Sequence, residues 1–313
     1  MCTAISFKSG DTYFGRNLDV ERGYGEKIVI VPRNFSLRMR CTDPLAQHYG
    51  MIGMAAVMDD FPLYFEATNE KGLSAAGLNF PGNAYYHEFD KEKMNITPFE
   101  FIPWILGQYT TVTDVKHALE NLNLVDLNFN DELTLTPLHW MISDQNESIV
   151  VESMKEGLRV FDNPFDVLTN SPTFAYHLMN INNYMALSVE QPEVKFPGNL
   201  PMDRYSLGMG ALGLPGDFSS ASRFVRACFV KESAVRMKEE KAAVNQFLHI
   251  LDAAAMPLGC VCTGDGFEYT RYSSCCNVNK GIYYYKTYED TTVKAVKMDD
   301  ITLNCQKLQI YEI

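Results

Sequence analysis

The chain has 313 residues, 46% hydrophobic and 21% charged, with a formal net charge of −12. That length is ample for a sizeable core, and the composition is that of an ordinary soluble globular protein. No basic patch stands out, which argues against nucleic acid as a partner, and no run of about 18 apolar residues is present, so no membrane-spanning helix is expected.

Along the chain, the first predicted element is an apolar strand at residues 4–7, preceded by Met1-Cys2-Thr3. A turn at Ser9-Gly10-Asp11 leads to a second extended segment carrying Arg16, Leu18 and Asp19. A hairpin would fold that segment back beside residues 3–7. If Met1 is removed, Cys2 carries a nucleophile and a base in one residue. A free thiol near ~8.5 needs a base at neutral pH, and an α-amino group near ~8 lies closer to neutrality than a lysine amine near ~10.4. Such a residue is suited to attack on an amide carbonyl, with Arg16 favouring the thiolate and Asp19 holding the amine. On spacing alone, a Cys without a role beside a surface Arg16–Asp19 pair is the commoner reading.

Residues 27–31 read as a strand ended by Pro32, and residues 33–48 as a loop or edge. Residues 51–57 read as a strand, and residues 59–63 as a loop with Phe61 exposed. Residues 64–67 and 73–78 read as a hairpin around Asn69-Glu70-Lys71-Gly72, with Asn79 at its end. Thr97-Pro98-Phe99-Glu100 has the cap, the proline and the glutamate of a helix start, predicting a helix to about Tyr109. A second helix is expected over residues 111–122, with Val115, Ala118, Leu119 and Leu122 on one face. Residues 123–137 read as a loop whose apolar residues, including Leu133, fit plain core packing.

From residue 139 to 161 the turns at Asp144-Gln145-Asn146 and Lys155-Glu156-Gly157 predict an antiparallel meander. His139 lies inside it and reads as a packed residue rather than a base. Asn170 follows another short strand. Residues 190–217 read as long loops. Ser219 or Ser220 caps a helix from Ala221 to about Lys238, and Arg223 sits in its first turn. A cation there is slightly unfavourable to the helix dipole, which points to another purpose. A further helix over residues 242–255 and strands at 268–272, 281–287 and 292–296 complete the chain. The alternation of strands and helices predicts an α+β fold, with sheets sandwiched between helical layers.

The cysteines do not form a disulfide or zinc pattern. Cys260-Val261-Cys262 and Cys275-Cys276 lack a second pair or a histidine at metal-site spacing, and Cys41, Cys228 and Cys305 stand alone. No metal or cofactor is expected. The N-terminus lacks a basic segment followed by an apolar one, so a cytoplasmic location is expected.

The opening Met1-Cys2-Thr3-Ala4-Ile5 with Phe14-Gly15-Arg16-Asn17-Leu18-Asp19 resembles the bile salt hydrolases (choloylglycine hydrolases). These are N-terminal nucleophile hydrolases, related to the penicillin V acylases. Asn69-Glu70-Lys71-Gly72-Leu73, Ala76-Gly77-Leu78-Asn79-Phe80, Pro137-Leu138-His139-Trp140, Val167-Leu168-Thr169-Asn170-Ser171-Pro172, Leu212-Gly213-Leu214-Pro215-Gly216-Asp217, Ser222-Arg223-Phe224 and Lys280-Gly281-Ile282-Tyr283-Tyr284-Tyr285 extend the likeness in family order.

The resemblance implies one domain over residues 1–313, a four-layer αββα sandwich with two antiparallel sheets, with Met1 removed. It implies that Cys2 is the nucleophile and its amine the base, with Arg16 and Arg223 supplying positive field and Asp19 orienting the amine. Asn79 is assigned to the oxyanion hole, and Asn170 to holding the amine or the scissile amide. Glycine- and taurine-conjugated bile salts are the implied substrates, cleaved through an acyl-thioester. Leu18, Phe61, Phe65 and Leu133 are the candidate steroid contacts. An acidic chain repels an anionic substrate at long range, so binding would rest on apolar burial and local positive groups.

Penicillin V acylases of this group tend to have Tyr where this chain has Asn79, which favours bile salts. A penicillin V acylase is the alternative activity, and a non-catalytic binding protein of the same fold is the alternative class. Relatives often show Ser-Arg-Gly where this chain has Ser206-Leu207-Gly208, implying weaker recognition of a sulfonate. The resemblance also implies a homotetramer.

Overall fold

The N-terminal hairpin forms as its turn residues predict. Strand Cys2–Ser9 pairs antiparallel with Asp11–Val20, and Gly10 takes φ +76° between them. A left-handed conformation at this point suits glycine, which has no Cβ to clash. The computed structural model describes residues 1–313.

This hairpin lies inside a 7-stranded sheet. From edge to edge the order is Val167–Leu168, Cys2–Ser9, Asp11–Val20, Gly266–Asn277, Ile282–Thr287 and Lys294–Lys297, with Val261–Thr263 paired to Gly266–Asn277. Gly15 is required where Asp11–Val20 meets its neighbour: a Cβ there would come 2.0 Å from the main-chain oxygen of Ser274. That close approach seats the next residue, Arg16, whose main-chain N–H donates to Ser274 Oγ at 3.1 Å.

The second sheet has 8 strands, in the order Gly157–Asp162, Ser148–Met154, Leu138–Ser143, Ser74–Asn79, Phe61–Asn69, Met51–Met58, Lys27–Val31 and Gln309–Glu312. Its pairings are antiparallel. Both of its faces are covered, so Lys27–Val31 is a near-continuous apolar run rather than an alternating one. The strand period still sorts its side chains. Ile28 and Ile30 join the core between the sheets, whereas Val29 and Val31 join a second core on the outer face.

Helices Ser220–Ser233 and Glu240–Asp252 pack on the first sheet and helix Phe101–Gln108 packs on the second, giving the αββα layering. Phe224 and Phe247 from the first pair of helices cover the outward face of the first sheet, where Phe247 meets Tyr13, and the core outside the second sheet contains Phe101 and Ile105 from the other helix.

Several local expectations are corrected. Residues 59–63 are not a loop: strand Phe61–Asn69 begins there after a turn at Asp59 and Asp60, both with positive φ, and Phe61 is buried. The first helix starts at Phe101 rather than Pro98. One Glu100 carboxylate oxygen accepts from the Thr97 N–H at 3.1 Å and Thr97 Oγ1 at 2.7 Å, as a capping glutamate does, while the other accepts from the main chain of Arg40 and ties down that loop. The next helix ends at Leu119, and Leu122–Leu124 peels away to pair in parallel with Met94–Ile96. The helix carrying Arg223 ends at Ser233, not near Lys238. Helix Phe174–Asn180 was not expected from the sequence.

Candidate active site

Cys2 opens the strand Cys2–Ser9 and is buried. It pairs with Leu18, while Ala4 pairs with Arg16. Directly paired residues project to the same side of a sheet, so Cys2 and Arg16 share a face as diagonal neighbours, within reach of a long side chain. Arg16 is almost fully buried on that face. Its Nη1 donates to the main-chain oxygens of Phe65 at 3.1 Å and Gly77 at 2.6 Å, in the opposing sheet. Burial opposes its charge, but Cys2, Tyr272, Glu66 and Asp19 together hold the guanidinium above its ordinary value.

The second buried arginine comes from the helix Ser220–Ser233. Arg223 is 0% exposed. Its Nη1 donates to the main-chain oxygen of Cys2 and to Thr3 Oγ1 at 2.8 Å, its Nη2 to Asn170 Oδ1 at 2.7 Å, and its Nε to the main-chain oxygen of Phe218 at 3.0 Å. Burial pushes its pKa down, against the pull of Asp19, Cys2 and Glu268. Its awkward place in the first helical turn thus coincides with contacts to the N-terminal strand.

Asn170 brings the two ends together. Its Oδ1 accepts from the Cys2 main-chain nitrogen at 2.8 Å, and its Nδ2 donates to the main-chain oxygen of Asn79 at 2.7 Å. Its own main chain is held on both sides: Ser220 Oγ accepts from the Asn170 N–H at 2.8 Å and lies 2.9 Å from the Asn170 carbonyl oxygen, which His177 Nε2 also meets at 2.9 Å. Ser219 is the helix cap, accepting from Ser222 N at 3.4 Å, which leaves Ser220 for this task. The Asn79 side chain is half-buried at the end of Ser74–Asn79.

Asp19 lies beside the start of the chain. Its main-chain N–H donates to the Met1 oxygen at 2.9 Å, and its own carbonyl accepts from the Met1 amine at 2.5 Å. That amine also pairs with Glu268 Oε1 at 2.7 Å. Thr270 Oγ1 donates to Asp19 Oδ1 at 2.6 Å, whereas Asp19 Oδ2 is buried without a partner. Burial raises the Asp19 pKa, against the pull of Arg223 and the N-terminal ammonium.

Thus Cys2, Arg16, Asp19, Asn79, Asn170 and Arg223 converge on one end of the inner layer. The apolar candidates do not gather in the same way. Leu18 and Phe65 belong to the inner core, whereas Phe61 and Leu133 belong to the outer one, where Phe61 meets Phe99 edge-on at 6.1 Å. His139 is fully buried, stacked on Phe80 at 4.3 Å, with Nε2 on the main-chain oxygen of Thr169 at 2.9 Å. It is a packed residue, as read from its strand.

Sequence reasoning missed Glu66, Ser220, Glu268 and Thr270. Thr270 reaches Asp19 across 251 residues and Tyr272 reaches Glu66 across 206, so no local spacing signals either contact. No cluster of His, Cys, Asp and Glu is placed to hold a metal ion, and no helix is long and apolar enough to cross a membrane.

A family model described as linear amide C–N hydrolases, choloylglycine hydrolase family, matches residues 2–311. The chain is 49% identical over 314 residues to a bile salt hydrolase/transferase of Lactiplantibacillus plantarum, covering 100% of this chain and 97% of that protein. It is 41% identical over 319 residues to a bile salt hydrolase/transferase of Clostridium perfringens, covering 100% and 97%. Among solved structures, a mutant conjugated bile acid hydrolase from Clostridium perfringens superposes with a TM-score of 0.92 at 39% identity, covering 100% of this chain and 97% of that one. A penicillin V acylase from Agrobacterium tumefaciens shares the fold, with a TM-score of 0.79 at 19% identity, covering 99% and 91%.

Proposed function

The chain belongs to the choloylglycine hydrolase family of linear amide C–N hydrolases, and from that premise we propose that it cleaves glycine and taurine conjugates of bile acids with Cys2 as nucleophile. Hydrolysis of conjugated bile salts is its activity, supported by relatives of that name along the whole chain. The observation that carries the site assignment is the Cys2 nitrogen on Asn170 Oδ1, on a strand flanked by two buried arginines.

Met1 must leave for this chemistry to run. While Met1 is attached, the Cys2 nitrogen is an amide and has no basic lone pair. Once freed, it takes the thiol proton as Sγ attacks the amide carbonyl. Arg16 stabilises the thiolate from the shared face. Asp19 Oδ2, without a partner, supplies the acceptor that orients the free amine. Asn79, at its strand end, donates to the tetrahedral oxyanion. The amine then returns the proton to the departing glycine or taurine. Water, deprotonated by the same amine, hydrolyses the acyl-thioester. Asn170 keeps the amine aligned through both steps. Of the apolar candidates, Leu18 and Phe65 lie with the layer that holds Cys2 and are the proposed steroid contacts, whereas Phe61 and Leu133 pack in the outer core.

The assay is amino acid release from glycocholate and taurocholate, beside Cys2→Ala and beside penicillin V. Release abolished by Cys2→Ala supports the reading. Turnover of penicillin V alone keeps the mechanism and overturns the substrate.

The same reading takes the protein as a cytoplasmic homotetramer. All eight cysteines are free, which suits a reducing compartment. The segment from Met185 to Leu212 exposes Met185, Val189, Phe196, Tyr205 and Leu207 to 60% or more, an apolar surface suited to burial against another copy. Light scattering at several concentrations tests the assembly.

A further inference from the structure

The buried charges around Cys2 include one carboxylate that the mechanism does not use. Glu66 lies in the strand Phe61–Asn69 and is 1% exposed. It pairs with Ala76 on one side and Met54 on the other, both members of the core between the sheets. Its carboxylate therefore faces the sheet that carries the nucleophile. Tyr272 Oη donates to its Oε2 at 2.8 Å, and Tyr283 Oη donates to its Oε1. Both tyrosines come from the opposite sheet. Tyr272 is the cross-strand partner of Leu18, which is itself the partner of Cys2. Arg16 Nε lies 3.8 Å from Glu66 Oε2, and the residue preceding Glu66 supplies the main-chain oxygen bound by Arg16 Nη1.

A carboxylate this deep is costly unless it is paired and hydrogen-bonded. Here it has both, and its pair is the cation on the face of the thiol. We propose that Glu66 is a positioning residue for the reaction, a buried counter-ion that sets how much of the Arg16 charge reaches Cys2. When the thiol is neutral, Glu66 is the nearest anion to Arg16. When the thiolate forms, Arg16 is shared between Glu66 and Sγ. The carboxylate thus keeps Arg16 folded in its slot before the reaction and restrains its field during it. Burial raises the Glu66 pKa, while Arg16 and the two phenols draw it back down. The other titratable or charged groups around Cys2 are its own freed α-amine, Asp19 on the strand that carries Arg16, Arg223 on the helix, and Glu268 beside the N-terminus.

This inference rests on Cys2 being the nucleophile, and one experiment separates the two claims. The Met1-free enzyme is inactivated with iodoacetamide from pH 5 to 10, with the N-terminal peptide followed by mass. If the wild type keeps hydrolysing glycocholate after Cys2 is fully alkylated, the nucleophile assignment fails. If activity is lost with Cys2, Glu66→Gln decides the inference. The pH at half the limiting inactivation rate is expected to fall by about one unit, as for loss of one competing charge beside an ion pair. The limiting rate itself falls about two- to threefold, because a thiolate that forms more easily is a weaker nucleophile. KM for glycocholate stays unchanged, since Glu66 is sealed from substrate. An unmoved or raised pH midpoint overturns the proposal, whatever happens to kcat. If Glu66→Gln does not fold by circular dichroism, Tyr283→Phe replaces it. That variant removes one hydrogen bond from the carboxylate, leaves more of its charge to compete for Arg16, and is expected to raise the midpoint by a fraction of a unit; an unmoved or lowered midpoint overturns the proposal there too.

Discussion

The side-chain oxygen of Asn170 lies 2.8 Å from the main-chain nitrogen of Cys2, although 168 residues separate them in the chain. The contact links the first strand of the inner layer to the loop after Val167–Leu168, which pairs with that same strand. Asn170 also takes a hydrogen bond from Arg223 and gives one to the main chain of Asn79. One side chain therefore joins the proposed base, a buried cation and the strand end that bears the proposed oxyanion donor.

Asn79→Ala is expected to lower kcat by about 100-fold or more while KM changes little, because an oxyanion donor acts mainly on the transition state. Steady-state kinetics with glycocholate check this. A rise in KM at constant kcat would place Asn79 in ground-state binding instead.

Arg223→Met removes a fully buried cation whose hydrogen bonds span three segments. It leaves Asp19 with less compensation. Each buried acceptor left without its donor costs about 1–3 kcal/mol, so urea unfolding of this variant is expected to show a loss of about 3 kcal/mol or more. A loss near zero would mean that Arg223 serves chemistry alone.

His177 is buried, and desolvation holds its pKa below the ordinary 6.5. The unfolded chain therefore binds a proton that the folded chain refuses. Stability from this residue is complete above about 6.5 and declines as pH falls from there toward the lower folded value. His177→Gln is expected to flatten the loss of unfolding free energy between pH 6.5 and 5. An unchanged slope would exclude His177 as a source of acid sensitivity.

Ser206-Leu207-Gly208 presents an exposed leucine where the family resemblance leads one to expect arginine. Glycine conjugates are expected to react faster than taurine conjugates, and Leu207→Arg should narrow the gap. Equal rates in the unmodified enzyme contradict the idea.

Much of the fold was legible because strand signals are local. The runs at 27–31, 51–57 and 139–161 carry their own apolar residues and turns, and they form close to the expected bounds. Helix ends were less legible. Glu100 accepts from the Thr97 main chain as a capping glutamate does, yet the helix begins only at Phe101, and its other oxygen is engaged by the main chain of Arg40. The candidate polar residues converge because the resemblance picked them out individually, and Arg223 also stood out by its misfit to the helix dipole. Glu66 and Thr270 were invisible, because each gains its meaning only from strands far away in sequence. The apolar pocket was the least legible, since any leucine or phenylalanine is equally ready to serve a core, and Phe61 does so.

If the α-amine of Cys2 works as the base, activity must differ between two folded preparations that differ only in Met1. One retains it and the other has lost it, each verified by intact mass and circular dichroism, and each is assayed for glycine release from glycocholate. Turnover is expected in the Met1-free enzyme and none above background in the Met1-bearing one. Equal turnover in both would contradict this role of the amine and require a base elsewhere in the site.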